Sequence, residues 1–208
     1  MPPATLIEHP LVQANLARLR DKKTSSHEFR ALTRNLTTLI LYEAFRDCAT
    51  REVMVETPLT STPCRVLAEK ICLVPILRAG LGMMDGFLGL LPHSSVGYIG
   101  LARNEETLQP DTYYCKLPTD LSSTLVALAD PMLATGGSAV AAINYLKKEG
   151  ATQIKFICLL ASPEGLNTLN AAHPEVQVYA AAVDEKLNEK GYILPGLGDA
   201  GDRLFGTD

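Results

Sequence analysis

Residues 125–138 read LVALADPMLATGGS: an apolar run leads into Asp130, and a Thr-Gly-Gly-Ser turn follows a few residues later. The apolar run predicts a buried strand, and the small polar residues after it predict the start of a helix. In open parallel sheets, ligands bind beyond the carboxyl ends of the strands. The sequence therefore places an acid at a strand tip, and a glycine turn at a helix N-terminus, on the edge where a ligand is expected.

The turn itself has the features of a phosphate site. Exposed N–H groups at a helix N-terminus, together with the helix dipole, bind phosphate without a basic residue. Gly136 and Gly137 allow phosphate to approach the backbone closely, and the hydroxyls of Thr135 and Ser138 add donors. A plain strand-to-helix connection is the alternative interpretation. A Walker loop is excluded because no G-x-x-x-x-G-K-[ST] string is present, and no G-x-G-x-x-G string has the strand-to-helix context of a dinucleotide fold.

Strands and helices alternate around this segment. The predicted strands are 53–57, 71–76, 96–101, 112–117, 124–129, 154–161 and 176–182. The predicted helices are a short one from Pro10 and longer ones over 25–47, 82–91, 136–149 and 163–172. This alternation predicts a mainly parallel sheet covered on both sides. We therefore expect an α/β fold with a mainly parallel central sheet flanked by helices and an N-terminal helical segment.

The last part of the chain, residues 184–208, has a different composition. Five glycines punctuate it, at positions 191, 196, 198, 201 and 206. That glycine content predicts loops that bring backbone close to another group, and no core element. Because no linker or repeat interrupts the chain, we expect residues 1–208 to form a single domain that includes this segment.

Composition narrows the function classes. The chain has 208 residues, 47% of them hydrophobic and 20% charged, which is ordinary for a globular protein. Its net charge of −4, with no basic block, disfavours a nucleic-acid partner. Cys72 and Cys158 lie inside apolar runs, as expected for core thiols in a reducing compartment. The N-terminus lacks signal-peptide features, and the apolar runs are too short to span a bilayer, so we expect a cytoplasmic protein with no membrane partner.

Three segments resemble one family, the uracil phosphoribosyltransferases. Residues 130–138, DPMLATGGS, resemble the phosphoribosyl pyrophosphate motif of type I phosphoribosyltransferases, with Pro131 and Ala134 where other members carry acids. Residues 75–83, PILRAGLGM, resemble the pyrophosphate-binding loop of the family, and residues 192–203, YILPGLGDAGDR, resemble its uracil-binding hood. The three motifs occur in the family's order and extend the resemblance over essentially the whole chain.

The resemblance implies an activity and its partners. It implies transfer of the phosphoribosyl group of 5-phosphoribosyl 1-pyrophosphate (PRPP) to uracil, which yields UMP and pyrophosphate in pyrimidine salvage. It also implies Mg²⁺, held mainly through PRPP because Pro131 and Ala134 offer no carboxylate. A homodimer or higher homo-oligomer is expected. GTP is a candidate effector, because some members of the family are activated by it.

The resemblance also implies the site residues. The expected catalytic residues are Asp130, Arg103 and Asp199. The expected PRPP-binding residues are Arg78, Arg103, Asp130, Pro131, Met132, Leu133, Ala134, Thr135, Gly136, Gly137, Ser138 and Asp199. The expected uracil-binding residues are Ile193, Gly198, Asp199 and Ala200, within a hood formed by residues 184–208. A carboxylate suits ribose hydroxyls and a cationic transition state, and a guanidinium matches phosphate oxygens.

Two other functions are compatible with this fold class. Some proteins of the fold regulate pyrimidine genes by binding RNA, which the missing basic face disfavours. A purine-type transferase is the other alternative. The glycine-rich hood and the absent acids at Pro131 and Ala134 disfavour it.

Overall fold

A computed structural model describes residues 4–103 and 110–207. Its helices are α1 Pro10–Arg20, α2 Ser26–Ala44, α3 Met84–Leu90, α4 Gly137–Lys148, α5 Pro163–Ala172 and α6 Ala200–Phe205, and a 3-10 helix covers Ala79–Met83. Its strands are β1 Thr5–Leu6, β2 Thr50–Glu56, β3 Ser61–Leu67, β4 Lys70–Leu77, β5 Ser95–Val96, β6 Tyr98–Arg103, β7 Pro110–Lys116, β8 Thr124–Ala129, β9 Met132–Leu133, β10 Gln153–Ala161, β11 Gln177–Val183, β12 Lys186–Leu187 and β13 Ile193–Leu194.

The main sheet has the strand order β1-β11-β10-β8-β4-β6-β7. Neighbouring strands from β1 to β6 are parallel, and β7 joins the edge antiparallel to β6. The short strands β5 and β9 extend the pairing of β4 and β10. The predicted α/β fold with a mainly parallel sheet is confirmed, and β8, which leads into Asp130, lies near its centre.

The sheet separates two hydrophobic layers. Side chains alternate between the faces of a strand, so Leu73 and Ile157 enter one layer while Val74 and Phe156 enter the other, and all four are fully buried. Helices α1, α2, α3 and α6 cover the first face, and α4 and α5 cover the second. Coverage on both faces explains the continuous apolar runs of β4 and β8.

Local sequence signals account for the N-terminal helices. Pro10 opens α1, and Val12, Leu16 and Leu19 are buried along one face of the helix. Ser25 caps α2 by accepting a hydrogen bond from the Glu28 N–H at 3.3 Å. None of the helices in the described part of the chain is long and apolar enough to cross a membrane.

The prediction that α2 continues to about residue 47 is wrong by one turn. The helix ends at Ala44, where Lys155 Nζ of β10 donates to the Ala44 carbonyl at 2.6 Å and forms an ion pair with Asp47. A cation at a helix C-terminus satisfies an unpaired carbonyl and interacts favourably with the helix dipole. The terminating residue is far away in sequence, so no local pattern marks this end.

The prediction that residues 184–208 contain only loops is also wrong. The segment forms strands β12 and β13 and helix α6, and Ile193, Leu197 and Leu204 are buried in the main core. Glycine makes this burial possible: a methyl group on Gly82 would lie 2.6 Å from Leu204 Cδ1. The hood is therefore packed onto the domain through its own apolar residues.

Strand β3 was not predicted. It pairs with β2 in an antiparallel hairpin that is separate from the main sheet. Most residues of the hairpin are exposed, including Met54 at 66% and Leu59 at 95%. The hairpin therefore exposes several apolar side chains outside the main core.

Candidate active site

Two predicted site segments leave neighbouring strands at the same edge of the sheet. Arg78 follows β4, and Asp130 follows β8, with which β4 pairs in parallel up to Pro75 and Ala129. The two segments touch, because a methyl group on Gly80 would lie 2.6 Å from the Ala129 carbonyl oxygen. The segment that follows β4 therefore packs directly beside the end of β8, next to Asp130.

The hood completes the same edge. A methyl group on Gly201 would lie 3.9 Å from Ala79 Cβ, and one on Gly191 would lie 3.7 Å from Thr135 Cγ2. The hood thus contacts both the residues after β4 and the turn after β8. The three segments that are distant in the sequence meet at the carboxyl ends of β4 and β8.

The first half of the Asp130 loop is held by β10. The Pro131 carbonyl accepts hydrogen bonds from the N–H groups of Leu159, at 2.9 Å, and Leu160, at 3.1 Å. The Leu133 carbonyl accepts from the Ser162 N–H at 2.9 Å, and the two residues of β9 pair with Leu160 and the residue after it. Pro131 and Leu133 are buried. These contacts fix the path of the loop.

Helix α5 supports the second half. Ser162 caps α5 by accepting from the Gly165 N–H at 2.9 Å, and its hydroxyl donates to the Ala134 carbonyl at 2.6 Å. A methyl group on Gly165 would lie 2.4 Å from that same carbonyl, so only glycine fits there. Ser162 was not among the predicted site residues, although a serine before Pro163-Glu164 is a recognisable N-cap signal.

The turn opens toward solvent after these contacts. Thr135 and Ser138 are exposed, and Gly136 caps α4 in the left-handed region at φ 85°. No side chain among the described residues caps this helix end. Among the described residues, a methyl group on Gly137 would meet only Thr135 Oγ1, at 3.9 Å. The N–H groups of the first turn of α4 are therefore accessible to an anion.

Gly137→Val is expected to weaken binding of ribose 5-phosphate and PRPP by about 10- to 100-fold, the equivalent of losing one or two charge-assisted hydrogen bonds. The reason is steric, since the branched side chain would occupy the space in front of the turn. Titration calorimetry measures the effect. Gly89→Val is the matched control, because Gly89 lies on α3 with no atom near its Cβ position. Equal affinities in the two variants would contradict a phosphate site at this turn.

Asp130 has an unusual electrostatic environment. Its N–H donates to the Ile157 carbonyl at 3.1 Å, and its Oδ1 accepts from the Met132 N–H at 3.4 Å. The pKa of Asp130 is raised to about 7, mainly by burial and to a smaller extent by the nearby Asp199 carboxylate, against the opposing effect of the Met132 N–H. A positive charge placed beside this carboxyl would favour its ionised form.

The two predicted arginines follow adjacent parallel strands. Arg78 is exposed after a cis Leu77–Arg78 peptide, and its carbonyl accepts from the Leu81 N–H at 3.0 Å. Arg103 is the last residue of β6, which pairs with β4. The side chain of Arg103 and the predicted polar loop at 104–107 lie outside the described residues.

Three of the four predicted uracil-binding residues, Gly198, Asp199 and Ala200, lie at the start of α6. Asp199 caps the helix by accepting from the Asp202 N–H at 2.9 Å, and Ala200 is its first residue. Gly198 is exposed with φ 81°, and Ile193 is buried on β13. The N–H groups of a first helical turn have no intrahelical acceptor, so this end presents donors in a fixed direction.

The carboxylates of the site are few. Within residues 4–103 and 110–207, no group of three or more His, Cys, Asp and Glu side chains could hold a metal ion. Asp130 and Asp199 are the two acids that the structure places near each other at this edge.

The sheet order and the acid-to-turn loop after β8 define a protein of the type I phosphoribosyltransferase class. Hypoxanthine phosphoribosyltransferase of Trypanosoma cruzi has this fold, with a TM-score of 0.51 and 11% identity over 78% of this chain and 77% of that chain. A family model described as uracil phosphoribosyltransferase matches residues 6–207. The chain belongs to the uracil phosphoribosyltransferase family.

Individual relatives agree with this membership. A uracil phosphoribosyltransferase of Clostridium perfringens is 56% identical over 208 residues, which cover 100% of both chains. The solved structure of a protein from Aquifex aeolicus superposes with a TM-score of 0.92 at 39% identity, and covers 97% of each chain. The similarity is therefore not confined to the motifs but extends along the whole chain.

Proposed function

We propose that this protein transfers the phosphoribosyl group of PRPP to uracil and releases UMP and pyrophosphate, a reaction of pyrimidine salvage. The observation that carries the proposal is the meeting of three segments at one sheet edge: the Asp130 loop, the loop after β4 and the hood. Membership of the uracil phosphoribosyltransferase family supports the choice of base.

In this reaction N1 of uracil forms a bond to C1′ of the ribose, and the C1′–oxygen bond to pyrophosphate breaks with its electron pair. The N1 proton is released to water. Positive charge develops on the ribose as the bond breaks. The Asp130 carboxyl, whose pKa is raised to about 7 mainly by burial, interacts favourably with this positive charge and so stabilises this state more than the ground state.

The remaining parts of PRPP have separate sites in this proposal. Residues 134–138 bind the 5′-phosphate through the turn at the N-terminus of α4. Arg78 and Arg103 bind the pyrophosphate in this proposal, since Arg78 follows β4, which pairs with β8, and Arg103 ends β6, which pairs with β4. Asp199 lies near Asp130 and contributes to binding of the ribose.

Phosphoribosyltransferases of this type use Mg²⁺ together with PRPP. Asp130 and Asp199 provide oxygen atoms, the ligand type that Mg²⁺ prefers. Because Pro131 and Ala134 provide no carboxylate, PRPP and water would supply most of the ligands of the ion. When bound, the ion would neutralise charge on the leaving group.

We further propose that the protein is a cytoplasmic homo-oligomer. The β2–β3 hairpin supports this assembly, because an isolated two-stranded hairpin is only marginally stable and this one exposes Met54 and Leu59. A second copy that covers these residues would remove apolar surface from water. The buried free thiols of Cys72 and Cys158 support a reducing compartment.

The direct test is incubation of the purified protein with PRPP, Mg²⁺ and one base at a time, with and without GTP. UMP and pyrophosphate are expected in equal amounts with uracil. Chromatography detects the nucleotide, and a coupled assay detects the pyrophosphate. A nucleotide formed from hypoxanthine or adenine and not from uracil would contradict the proposed substrate.

A further inference from the structure

The ion pair between Arg20 and Asp184 binds both the backbone N–H and the backbone carbonyl of Gly196, a residue of the hood. The buried Asp184 carboxylate accepts from both terminal nitrogens of Arg20, at 2.7 Å and 2.5 Å. Asp184 Oδ2 also accepts from the Gly196 N–H at 2.8 Å, and Arg20 Nη1 donates to the Gly196 carbonyl at 2.7 Å. The backbone of Gly196 is thereby fixed in position by two side chains.

Gly196 lies at the centre of a tight turn. Its φ of 62° is in the left-handed region, which glycine adopts readily. A methyl group at this position would lie 2.1 Å from the Ile193 carbonyl oxygen, so the turn closes tightly on itself. The direction of this turn determines where Gly198 and the start of α6 point.

A second guanidinium holds the next residue. Arg203 Nη1 donates to the carbonyls of Leu197 and Leu19, both at 2.8 Å, and its Nη2 donates to the Asp21 carbonyl at 2.6 Å. The same guanidinium lies over the Phe29 ring, 4.4 Å from its centre. The carbonyls of Leu19 and Asp21 lie at the C-terminal end of α1, where a cation is favourable.

We propose that Arg20, Asp184 and Arg203 are positioning residues for the base: they clamp the Gly196–Leu197 turn to the end of α1 and so orient the backbone that recognises uracil. This inference rests on the proposed function. The planar guanidinium of Arg20 donates to Asp184 and to the Gly196 carbonyl at the same time, and so fixes the orientation of the turn more closely than a single contact would. A buried ion pair is weak evidence for stability in general, so its main contribution here is to geometry.

Arg20→Met is expected to raise the KM for uracil by about 10- to 100-fold, because small misplacements of a recognition group far from the chemistry have effects of that size. The KM for PRPP is expected to change less than about 3-fold, since residues 134–138 are held by β10 and α5 instead. The preference for uracil over cytosine is expected to fall together with the uracil affinity. Steady-state kinetics with each substrate varied in turn measure this split.

Arg18→Met is the matched control. Arg18 lies on the same helix and forms an ion pair with Glu28, but its side chain is 65% exposed and forms no hydrogen bond to the described residues of the hood. Both KM values are expected to remain at those of the wild type. Arg20→Lys keeps the positive charge but loses the two-pronged guanidinium. Its KM for uracil is therefore expected to lie between those of the wild type and Arg20→Met. Thermal melting establishes that each variant is folded.

The outcomes separate this inference from the function on which it rests. A wild-type protein that forms no UMP contradicts the proposed function. An active wild type whose folded Arg20→Met and Arg20→Lys variants keep the wild-type KM for uracil overturns the inference. Equal increases in both KM values would also overturn it, because they would indicate general loosening of the site. A selective increase in Arg20→Lys supports the inference even where Arg20→Met does not fold.

Discussion

Asp130→Asn is expected to lower turnover by about 10²- to 10³-fold, the size seen when a group that stabilises transition-state charge is removed. Asparagine keeps the shape of the side chain and loses the negative charge that would stabilise the cationic ribose. Binding of PRPP is expected to change much less than turnover, because the phosphates are held by other residues. Single-turnover kinetics with saturating PRPP and uracil measure the chemical step directly.

Stability at high pH provides an independent check on the same variant. The folded protein raises the pKa of Asp130 from an ordinary 3.8 to about 7, because burial disfavours the charge. The neutral carboxyl therefore costs nothing below pH 4, and stability is lost as the pH rises through 7. Asp130→Asn has no such loss, so it is expected to melt above the wild type at pH 8 and close to it at pH 4.

Asp120→Asn is the matched control for the turnover measurement. Asp120 is an exposed acid in the loop before β8, at the opposite end of the strand from Asp130. Its substitution is expected to leave turnover unchanged. Near-normal turnover in folded Asp130→Asn would refute the role assigned to the carboxylate.

Discrimination between uracil and cytosine is expected to reach about 10⁴-fold or more in kcat/KM, as in sites that hydrogen-bond a substrate group and reject the analogue lacking it. The two bases differ at position 4, carbonyl against amine, and in the protonation of N3. Backbone groups at Ile193, Gly198 and Ala200 cannot exchange donor for acceptor. Cytosine would therefore leave buried polar groups unpaired, which costs more than a lost contact.

Recognition by fixed backbone groups also predicts which other bases are accepted. A small substituent at C5 leaves the hydrogen-bonding edge of uracil unchanged, so 5-fluorouracil is expected to be a substrate. Cytosine, hypoxanthine and adenine are expected to give essentially no nucleotide. Comparable specificity constants for uracil and cytosine would contradict recognition by fixed backbone groups.

The sheet was predictable because its strands are buried on both faces. Residues 124–129 were predicted as a strand and form β8 with the same bounds, and the apolar run at 71–76 forms the centre of β4. Complete burial leaves a continuous apolar signal that needs no knowledge of partners. Asp130 and the glycine turn after β8 were also predictable, because they follow directly where this apolar run ends.

Features that depend on distant partners were not predictable. The end of α2 depends on Lys155, and the burial of the hood depends on a glycine at position 82 that leaves room for Leu204. Arg20 and Asp184 are 164 residues apart, and each looks like an ordinary surface charge in the sequence. Such pairs carry no periodic signal, so only the folded chain reveals them.

The contacts between α1 and the hood have a consequence for how the protein is made. Arg20 meets its partner 164 residues later, and Leu19 meets Arg203 184 residues later. Helix α1 leaves the ribosome early, but these hydrogen bonds cannot form until residues 184 and 203 have also been synthesised. Contacts of such long range are entropically slow to close. The turn proposed to orient the base is therefore among the last parts of the molecule to form, and an incompletely synthesised chain would carry the proposed phosphate turn after β8 before it carries that base-orienting turn.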